Sequence, residues 1–364
     1  MDTDGNPEIE FDERGICIYC YEYEAKSKVR LIPSGKREIE LNKIIERIKS
    51  SRKGGDYDCV IGISGGVDST YTAYLTKKLG LRPLAIHFDN GWNSELAVKN
   101  IEKTLKLLDI DLHTYVIDWE EFKDLQISFL KSSTPDGEIP TDHAILATLY
   151  KISSQYNIKY IISGNNFKNE GIMPRLWAYG HIDWKYIKSV QKIFGSKKLK
   201  SYPFLNLIKF IWFTFFKGIK SISILNYIDY KKDNAMKVLT EELDWKYYGG
   251  KHYESNYTKF FQGYILPRKF DIDKRKLHLS ALILSNQIKK EEALEILEGP
   301  IYPINEIERD IEYFRKKLDL SVNDFNNLFE DQKKTFFDYP NNYKLHSVFR
   351  KTLAILRRKK LFYS

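Results

Sequence analysis

The segment Ser64–Thr70 (SGGVDST) combines two adjacent glycines with three hydroxyl side chains and one carboxylate. Adjacent glycines can adopt backbone conformations that bring N–H groups close to a phosphate, and hydroxyls add further donors. The carboxylate of Asp68 would repel an anion unless it holds a divalent cation that the phosphates share. The chain contains neither a Walker A pattern nor Gly-x-Gly-x-x-Gly. The predicted phosphate-binding residues are Ser64, Gly65, Gly66, Asp68, Ser69 and Thr70.

A second chemical pattern is Cys17-x-x-Cys20, whose spacing suits half of a tetrahedral Zn²⁺ site. Two more ligands would be needed, and a pair of reduced structural thiols is the alternative. A redox role is disfavoured because the pair does not open a helix after a strand. The third cysteine, Cys59, falls inside an apolar strand-like run, so we expect a small buried side chain there rather than a nucleophile.

The elements that must position the phosphate segment alternate between strand-like and helix-like runs from residue 58 to about residue 195. Such alternation favours a parallel sheet with helices on both faces. The phosphate segment then follows the first strand, at the sheet edge where α/β proteins bind ligands. The predicted strands are Asp58–Ser64, Pro83–Asp89, Leu112–Ile117 and Ile158–Ser163, and the predicted helices are Ser69–Leu79, Ser94–Leu108 and Thr141–Tyr156.

Length and composition predict a folded chain of about two domains. There are 364 residues, and a typical domain has about 150. Hydrophobic residues make up 43% of the chain, which excludes a mostly disordered protein. Three cysteines exclude a disulfide framework and indicate a reducing, cytoplasmic location, and the polar first residues fit no targeting peptide. We predict three regions: a Cys-containing segment (1–50), the sheet domain (51–195) and a mainly helical region (196–364).

Basic charge is concentrated in residues 196–232, which contain eight lysines and one aspartate within a chain of net charge +9. The remainder is close to neutral, so no nucleic-acid partner is expected. The apolar run Phe210–Phe216 is too short to span a membrane. We expect a helix that packs its apolar face on the core and points its lysines outward. A contact of residues 202–228 with a partner subunit or with the inner face of a membrane is the alternative.

The segment Ser64–Ser69 resembles the pyrophosphate loop of the N-type ATP pyrophosphatases (the PP-loop superfamily). This superfamily includes GMP, NAD and asparagine synthetases and several tRNA-modifying enzymes. The resemblance implies a Rossmann-like sheet of the adenine nucleotide α-hydrolase type and cleavage of ATP between its α and β phosphates. It also implies that Asp89, at the end of the second strand, meets adenosine.

The segment Ser163–Glu170 is similar to the part of NAD synthetases whose glutamate holds magnesium. This similarity implies that Asp68 and Glu170 share Mg²⁺, that Lys168 faces phosphate, and that Gly164 contributes to the ATP site. All of these residues follow predicted strands at the sheet edge that carries the phosphate segment.

Five further segments carry a closer resemblance, which covers nearly the whole chain: Thr141–His143, Asp244–Ser255, Thr258–Gln262, Leu266–Ser280 and Glu291–Leu294. They resemble segments of the N-acetyl sugar amidotransferases of bacterial surface-polysaccharide (O-antigen) synthesis. This resemblance implies ATP-dependent conversion of the acetamido group of a sugar, expected to be a nucleotide sugar, to an acetamidino group. Arg268 and Lys269 are then expected to complete a catalytic phosphate clamp. The expected substrate-binding residues are Asp142, His143, Lys251, His252, Glu254 and Arg275.

The same resemblance implies that a separate glutaminase subunit supplies ammonia, with a cyclase-like companion as a further partner. The related enzymes usually carry an earlier cysteine pair before a Met-Asp-Thr segment, which stands here at Met1–Thr3. Two alternatives stay open. One is a tRNA-modifying PP-loop enzyme that adenylates a base oxygen, which the confined basic charge disfavours. The other is a non-catalytic scaffold subunit, which the complete phosphate segment disfavours.

Overall fold

The computed structural model describes residues 1, 3–51, 54–250 and 253–358, and for residues 353–358 the backbone alone. Its centre is one five-stranded sheet with strand order β3-β2-β1-β4-β5. Every neighbouring pair in this sheet is parallel. The strands β1 to β5 are Cys59–Gly62, Pro83–Asp89, Leu112–Val116, Tyr160–Ser163 and Lys220–Ser223.

Helices cover the sheet and form the carboxyl-terminal region. The α-helices α1 to α17 are Ile18–Arg30, Arg37–Ser50, Val67–Lys78, Glu95–Leu108, Trp119–Lys131, Ile139–Gln155, Phe167–Glu170, Trp184–Phe194, Leu207–Ile211, Lys232–Leu243, Asn256–Phe260, Leu266–Phe270, Lys274–Leu284, Lys290–Glu298, Ile307–Lys317, Val322–Glu330 and Tyr343–Arg358. Two π-helical turns, Trp212–Phe216 and Phe261–Ile265, continue α9 and join α11 to α12. Shorter 3₁₀ turns are Ser34–Lys36, Ile224–Tyr227, Ile304–Glu306 and Phe336–Asp338.

The predicted fold class is confirmed. All four predicted strands and all three predicted helices are present, with ends that differ by at most two residues. The second strand has the predicted bounds, since its apolar run PLAIHFD is buried along almost its whole length. Ser94 caps α4, and its Oγ accepts a hydrogen bond of 3.2 Å from the N–H of Ala97.

The predicted domain boundaries need correction, because the sheet continues beyond residue 195. The fifth strand, β5, pairs with β4 along four residues and buries Ile222. Its sequence, KSIS, has one apolar residue between two serines, so no hydrophobic run marks it as a strand. The segment 1–50 is also no separate unit, because Leu41, Ile45 and Ile48 of α2 belong to the core that contains β1.

Two large cores position the site. The first lies between one face of the sheet and helices α2, α3 and α10, with Ile61, Val67 and Leu239 among its members. The second is rich in aromatic side chains and joins α5 and α8 to the helices after residue 255, with Phe129 and Phe260 among its members. The carboxyl-terminal region is therefore packed into the molecule from the side of β2 and β3.

The prediction for the basic aromatic segment is only partly right: a helix forms, and Phe210 and Phe213 pack against the core that contains Tyr150 and Leu205. Leu205 and Ile219 are buried, but both lie outside the helix that runs from Leu207 to Phe216. No residue of that ten-residue helix is buried, and Trp212 and Phe216 are exposed. Within the described ranges, no helix combines the length and apolar character needed to cross a membrane.

Candidate active site

The phosphate segment forms the turn between β1 and α3. Gly65 has a φ of +81°, and a Cβ atom there would lie 2.4 Å from the carbonyl oxygen of Ala97 in α4. Only glycine fits this position, since the backbone conformation is left-handed and the neighbouring backbone fills the space. Oγ of Ser69 accepts a 3.2 Å hydrogen bond from the N–H of Ser64 and lies 3.1 Å from its Oγ, which closes the turn.

Two of the three predicted hydroxyls lie on the open side of the turn. Ser64 is exposed and Ser69 is half-buried, whereas Thr70 is completely buried. Oγ1 of Thr70 is buried and has no hydrogen-bond partner among the described residues, so a donation to phosphate stays a prediction. The N–H of Thr70 donates to the carbonyl of Gly66 at 3.0 Å, as part of the first turn of the helix.

Two carboxylates converge on the hydroxyl of Tyr230, a residue that sequence analysis missed. Asp68, in the first turn of α3, accepts a hydrogen bond from this phenol. Burial, and then the nearby charges of Asp68 and Glu170, raise the pKa of Tyr230 above its ordinary value. The phenol therefore stays protonated and can donate. Two carboxylates at one sheet edge are a donor set that Mg²⁺ accepts together with phosphate oxygens, so Asp68 and Glu170 fit the predicted ion.

The end of β4 touches the phosphate segment, as predicted. A Cβ atom on Gly164 would lie 3.0 Å from the carbonyl oxygen of Asp68 and 3.2 Å from the N–H nitrogen of Ser69. Lys168 lies nearby, but its Nζ is 2.6 Å from Asp229, which Arg37 also contacts at 3.3 Å. The ammonium group of Lys168 lowers the pKa of Asp229 through this hydrogen bond. Lys168 is thus held beside Tyr230, and a role toward phosphate stays a prediction.

Asp89 shapes the turn that follows β2. Its Oδ1 accepts hydrogen bonds from the N–H of Gly91 at 2.9 Å and from Nδ2 of Asn93 at 3.2 Å. Nδ2 of Asn93 also lies 3.2 Å from Nε2 of His87. This network fixes the loop at the carboxyl end of β2, where a contact with adenosine stays a prediction.

A segment from the carboxyl-terminal half covers the turn. Nε1 of Trp245 donates to the carbonyl of Gly65 at 3.0 Å. The N–H of Val67, the first residue of α3, donates to Oη of Tyr248 at 3.2 Å. Both aromatic residues belong to the resembling segment Asp244–Ser255, but neither was predicted to have a role. The run WKYYGG, rich in aromatics and ending in two glycines, is the signal that could have marked them as lining a ligand site.

Glu254 lies at the phosphate segment, as its predicted substrate role requires. A Cβ atom on Gly66 would be 3.0 Å from Oε1 of Glu254. The backbone of Glu254 is fixed by the N–H of Ser94, which donates to its carbonyl at 2.9 Å. Burial, followed by the charge of Glu254, raises the pKa of Tyr248. Two other predicted substrate residues, Lys251 and His252, lie outside the described residues.

His143 is corrected from substrate contact to core residue. It is completely buried, its Nδ1 donates to the carbonyl of His181 at 2.5 Å, and its Nε2 accepts from the N–H of Leu205 at 3.0 Å. The ring is stacked on Trp184 and Tyr202. Burial lowers its pKa to about 4. Both nitrogens are therefore occupied inside the protein. Asp142, the next residue toward the amino terminus, is exposed at the start of α6.

The predicted clamp of basic residues is not assembled at the turn. Lys269 is buried and donates to Oγ of Ser133 at 2.8 Å and to the carbonyl of Leu328, and burial lowers its pKa to about 8. Arg275 pairs with Asp273 and donates to carbonyls at the end of α14, which it caps. Arg268 is exposed, with its guanidinium 4.2 Å from the ring centroid of Tyr264. These cations hold the carboxyl-terminal region together.

The cysteines do not form a zinc site in the described ranges. Sγ of Cys17 and Sγ of Cys20 are 3.3 Å apart, and burial raises the pKa of the Cys20 thiol. No group of three or more His, Cys, Asp or Glu side chains that could hold a metal occurs among the described residues. Since tetrahedral zinc needs four ligands, the pair alone does not fit it. Cys59 is buried in β1, as predicted, and burial raises the pKa of its thiol.

Two parts of the chain match known protein families, and they meet at this site. Residues 40–184 match NAD synthase, and residues 254–352 match the C-terminal domain of WbpG-like lipopolysaccharide (LPS) biosynthesis proteins. Gly66 lies within the first range, and Glu254, whose carboxylate lies beside it, is the first residue of the second.

Individual relatives include both well-covered and partly covered proteins. An uncharacterized protein of Methanocaldococcus jannaschii is 24% identical over 307 residues, which are 81% of this chain and 90% of the relative. GMP synthase of Pyrobaculum aerophilum is 28% identical over 44% of this chain and 30% of its own length. The tRNA-specific 2-thiouridylase of Fusobacterium nucleatum is 29% identical over 39% of this chain and 41% of its own length.

Among solved structures, the NH₃-dependent NAD synthetase of Campylobacter jejuni aligns with a TM-score of 0.30 and 19% identity, over 56% of this chain and 82% of the other. The parallel sheet, the turn after β1 and the family matches agree with one another. The chain thus combines a region similar to NAD synthase with a region similar to the C-terminal domain of WbpG-like LPS biosynthesis proteins.

Proposed function

We propose that this protein is an ATP-dependent amidotransferase that converts the N-acetyl group of a nucleotide sugar to an acetamidino group. The position of the Glu254 carboxylate beside Gly66, where an added Cβ atom would meet Oε1 at 3.0 Å, carries the proposal. It brings a loop typical of ATP-cleaving enzymes together with the first residue of a region similar to lipopolysaccharide biosynthesis proteins. A substrate bound by the second region would therefore meet ATP at the first.

The chemistry that such a site must perform is the activation of an unreactive amide. Resonance makes the amide carbon a poor electrophile and its oxygen a poor leaving group. The amide oxygen attacks the α-phosphorus of ATP, and the bond to pyrophosphate breaks, which gives an O-adenylyl imidate. Ammonia then adds to the imidate carbon and loses a proton, and AMP departs with the former amide oxygen. The carbon keeps one C=N and one C–N bond, so it has become an amidine.

The residues of the turn would act on the phosphates. The hydroxyls of Ser64 and Ser69, which lie 3.1 Å apart, and the N–H groups at the start of α3 would hold the departing pyrophosphate. Asp68 and Glu170 would hold Mg²⁺, which neutralises charge on the phosphates. The hydroxyl of Tyr230 donates to Asp68 and thereby fixes the orientation of this carboxylate.

Ammonia requires a separate source. A glutaminase needs an accessible thiolate, but Cys59 is buried and its thiol has a raised pKa. The remaining thiols lie in α1 and at its cap, within 3.3 Å of each other. A separate glutaminase subunit, accompanied by a cyclase-like protein, is therefore the proposed partner. With ammonium in place of glutamine, the chain should act alone.

The test is incubation of the protein with ATP, Mg²⁺, ammonium and a panel of UDP-N-acetyl sugars. The expected result is release of pyrophosphate and AMP together with a sugar nucleotide about 1 Da lighter, because oxygen is replaced by NH. Asp68→Asn should lower the rate at least about a hundredfold. Asp233→Asn is the matched control, since Asp233 occupies the first turn of α10 as Asp68 does that of α3. Pyrophosphate release without any change in sugar mass would contradict the proposal.

A second candidate function comes from the relative that is a tRNA-specific 2-thiouridylase. A tRNA-modifying enzyme would adenylate a base oxygen at the same turn. Salt-dependent binding of tRNA in gel shifts, with pyrophosphate release that requires tRNA and not a sugar nucleotide, would favour this candidate. Failure to release pyrophosphate with either substrate class would favour the non-catalytic scaffold.

A further inference from the structure

The helix from Leu207 to Phe216 exposes an apolar stripe. Ile208, Trp212 and Phe216 follow each other at intervals of four residues, with 77%, 49% and 72% of their surfaces exposed. The rings of the last two are stacked at 5.0 Å. Single exposed apolar residues are common on proteins, but a continuous stripe of this kind marks a surface that binds something.

The stripe is continuous with a second exposed apolar face on α17. Leu345 and Val348 of this helix are 53% and 62% exposed. The ring of Phe349 lies 6.3 Å from that of Phe210, so the two helices are in contact. A cavity of about 340 Å³ opens between them and α8, and Ile208 and Leu345 are among its lining residues. Ile208, Trp212, Phe216, Leu345 and Val348 together form what we term the apolar face.

Basic residues are frequent in the segments that carry the apolar face. Residues 184–232 contain eleven lysines and one acid, Asp229, which is already paired with Lys168 and Arg37. Residues 343–358 contain five basic residues, counting lysine and arginine, and no acid. Lys185 and Lys188 line the cavity itself. These two lysines favour an occupant that is apolar where it meets the stripe and negatively charged beside the cavity.

We propose that the apolar face and the lysines of its cavity bind the surface of an anionic phospholipid bilayer. Lipid phosphates would pair with the basic residues, while the stripe enters the boundary between headgroups and acyl chains, where tryptophan is favoured. A second copy of the chain would bring two basic surfaces together, which is unfavourable. RNA would pair with the lysines but leave the aliphatic side chains of Ile208, Leu345 and Val348 in water.

The test is co-sedimentation of the full chain with vesicles of phosphatidylcholine alone or mixed with phosphatidylglycerol. We expect binding to the anionic vesicles, weakened by salt. The double variant Ile208→Ser, Leu345→Ser should lower the partition coefficient at least about tenfold, because both side chains lose apolar surface that would enter the bilayer. Ile304→Ser, Leu294→Ser is the matched control, with 76% and 52% exposure at distant elements, and should bind normally.

A second measurement places the contact on the molecule. Lipids brominated along their acyl chains should quench tryptophan fluorescence in the wild type, and Trp212→Phe should remove most of this quenching while vesicle binding persists. Equal losses in both double variants, binding that is independent of lipid charge, or unchanged quenching in Trp212→Phe would each overturn the proposal. So would a dimer in solution that the variant Ile208→Ser, Leu345→Ser dissociates.

Discussion

Tyr248→Phe tests whether the covering segment competes with ATP for the amino terminus of α3. In the structure, the N–H of Val67 donates to Oη of Tyr248 at 3.2 Å. This N–H is one of the groups that a phosphate at the turn would accept from. ATP can bind there only if the tyrosine hydroxyl gives up this hydrogen bond.

The expected magnitude follows from the loss of one hydrogen bond. A neutral hydrogen bond of this kind contributes about 1 kcal/mol net, which corresponds to a factor of about five in an equilibrium constant. Tyr248→Phe should therefore lower the Kd for ATP about fivefold and lower the free energy of unfolding by about 1 kcal/mol. The phenylalanine ring keeps the contacts with Trp245 and Tyr247.

Binding can be measured by calorimetry with ATP and Mg²⁺ in the absence of sugar, and stability by urea denaturation. Tyr247→Phe is the matched control, because this neighbouring ring is half exposed and should leave the Kd unchanged. An unchanged Kd in Tyr248→Phe would refute the competition. A higher Kd in Tyr248→Phe would show instead that the hydroxyl contacts the nucleotide.

Three further predictions concern backbone fit, titration and an internal cation. Gly65→Ala should cost about 3 kcal/mol of stability and abolish pyrophosphate release, whereas Gly15→Ala, at φ +73° with nothing within 4 Å, should cost only about 1 kcal/mol in urea denaturation. Burial lowers the pKa of His143 from the ordinary histidine value of 6.5 to about 4, so the folded state binds fewer protons than the unfolded state. The free energy of unfolding should therefore fall by about 3 kcal/mol as the pH falls from 6.5 to 4. Burial also raises the pKa of Asp136 to about 6, which changes stability in the opposite direction over this pH range. Comparing thermal unfolding of the wild type and of His143→Gln across the range separates the contribution of His143 from that of Asp136. Arg275→Met should lower the urea midpoint by the equivalent of about 2 kcal/mol and leave the Kd for ATP unchanged, because this side chain caps α14 away from the turn.

The sheet was predictable where burial on both faces leaves an uninterrupted apolar run. Strand β2 is such a run, and its ends were predicted to the residue. Strand β5 was not predictable, because it lies at the sheet edge and has one buried side chain among four residues. Strand β5 gains its stability from hydrogen bonds to β4, and these leave no pattern in its local sequence.

The phosphate turn was predictable because its constraints are local. A positive φ at Gly65 and the first turn of α3 are both determined within a few residues. The roles of the basic residues in the carboxyl-terminal region were not predictable. A lysine that binds phosphate and a lysine that donates to a buried carbonyl can have the same local sequence. Lys269 and Arg275 are both of the second kind, and only tertiary packing with Leu328 and α14 shows it.

The covering segment links the two halves of the proposed reaction. Trp245 and Tyr248 hold it against the turn, and the same segment ends at Glu254 beside Gly66. Water can also attack an O-adenylyl imidate and return the amide, so a productive site must exclude water once ATP has reacted. Aromatic side chains that close on the phosphates serve this purpose better than charged ones, which carry water with them. The aromatic residues of the covering segment would then protect the imidate, while the second family region holds the sugar that forms it.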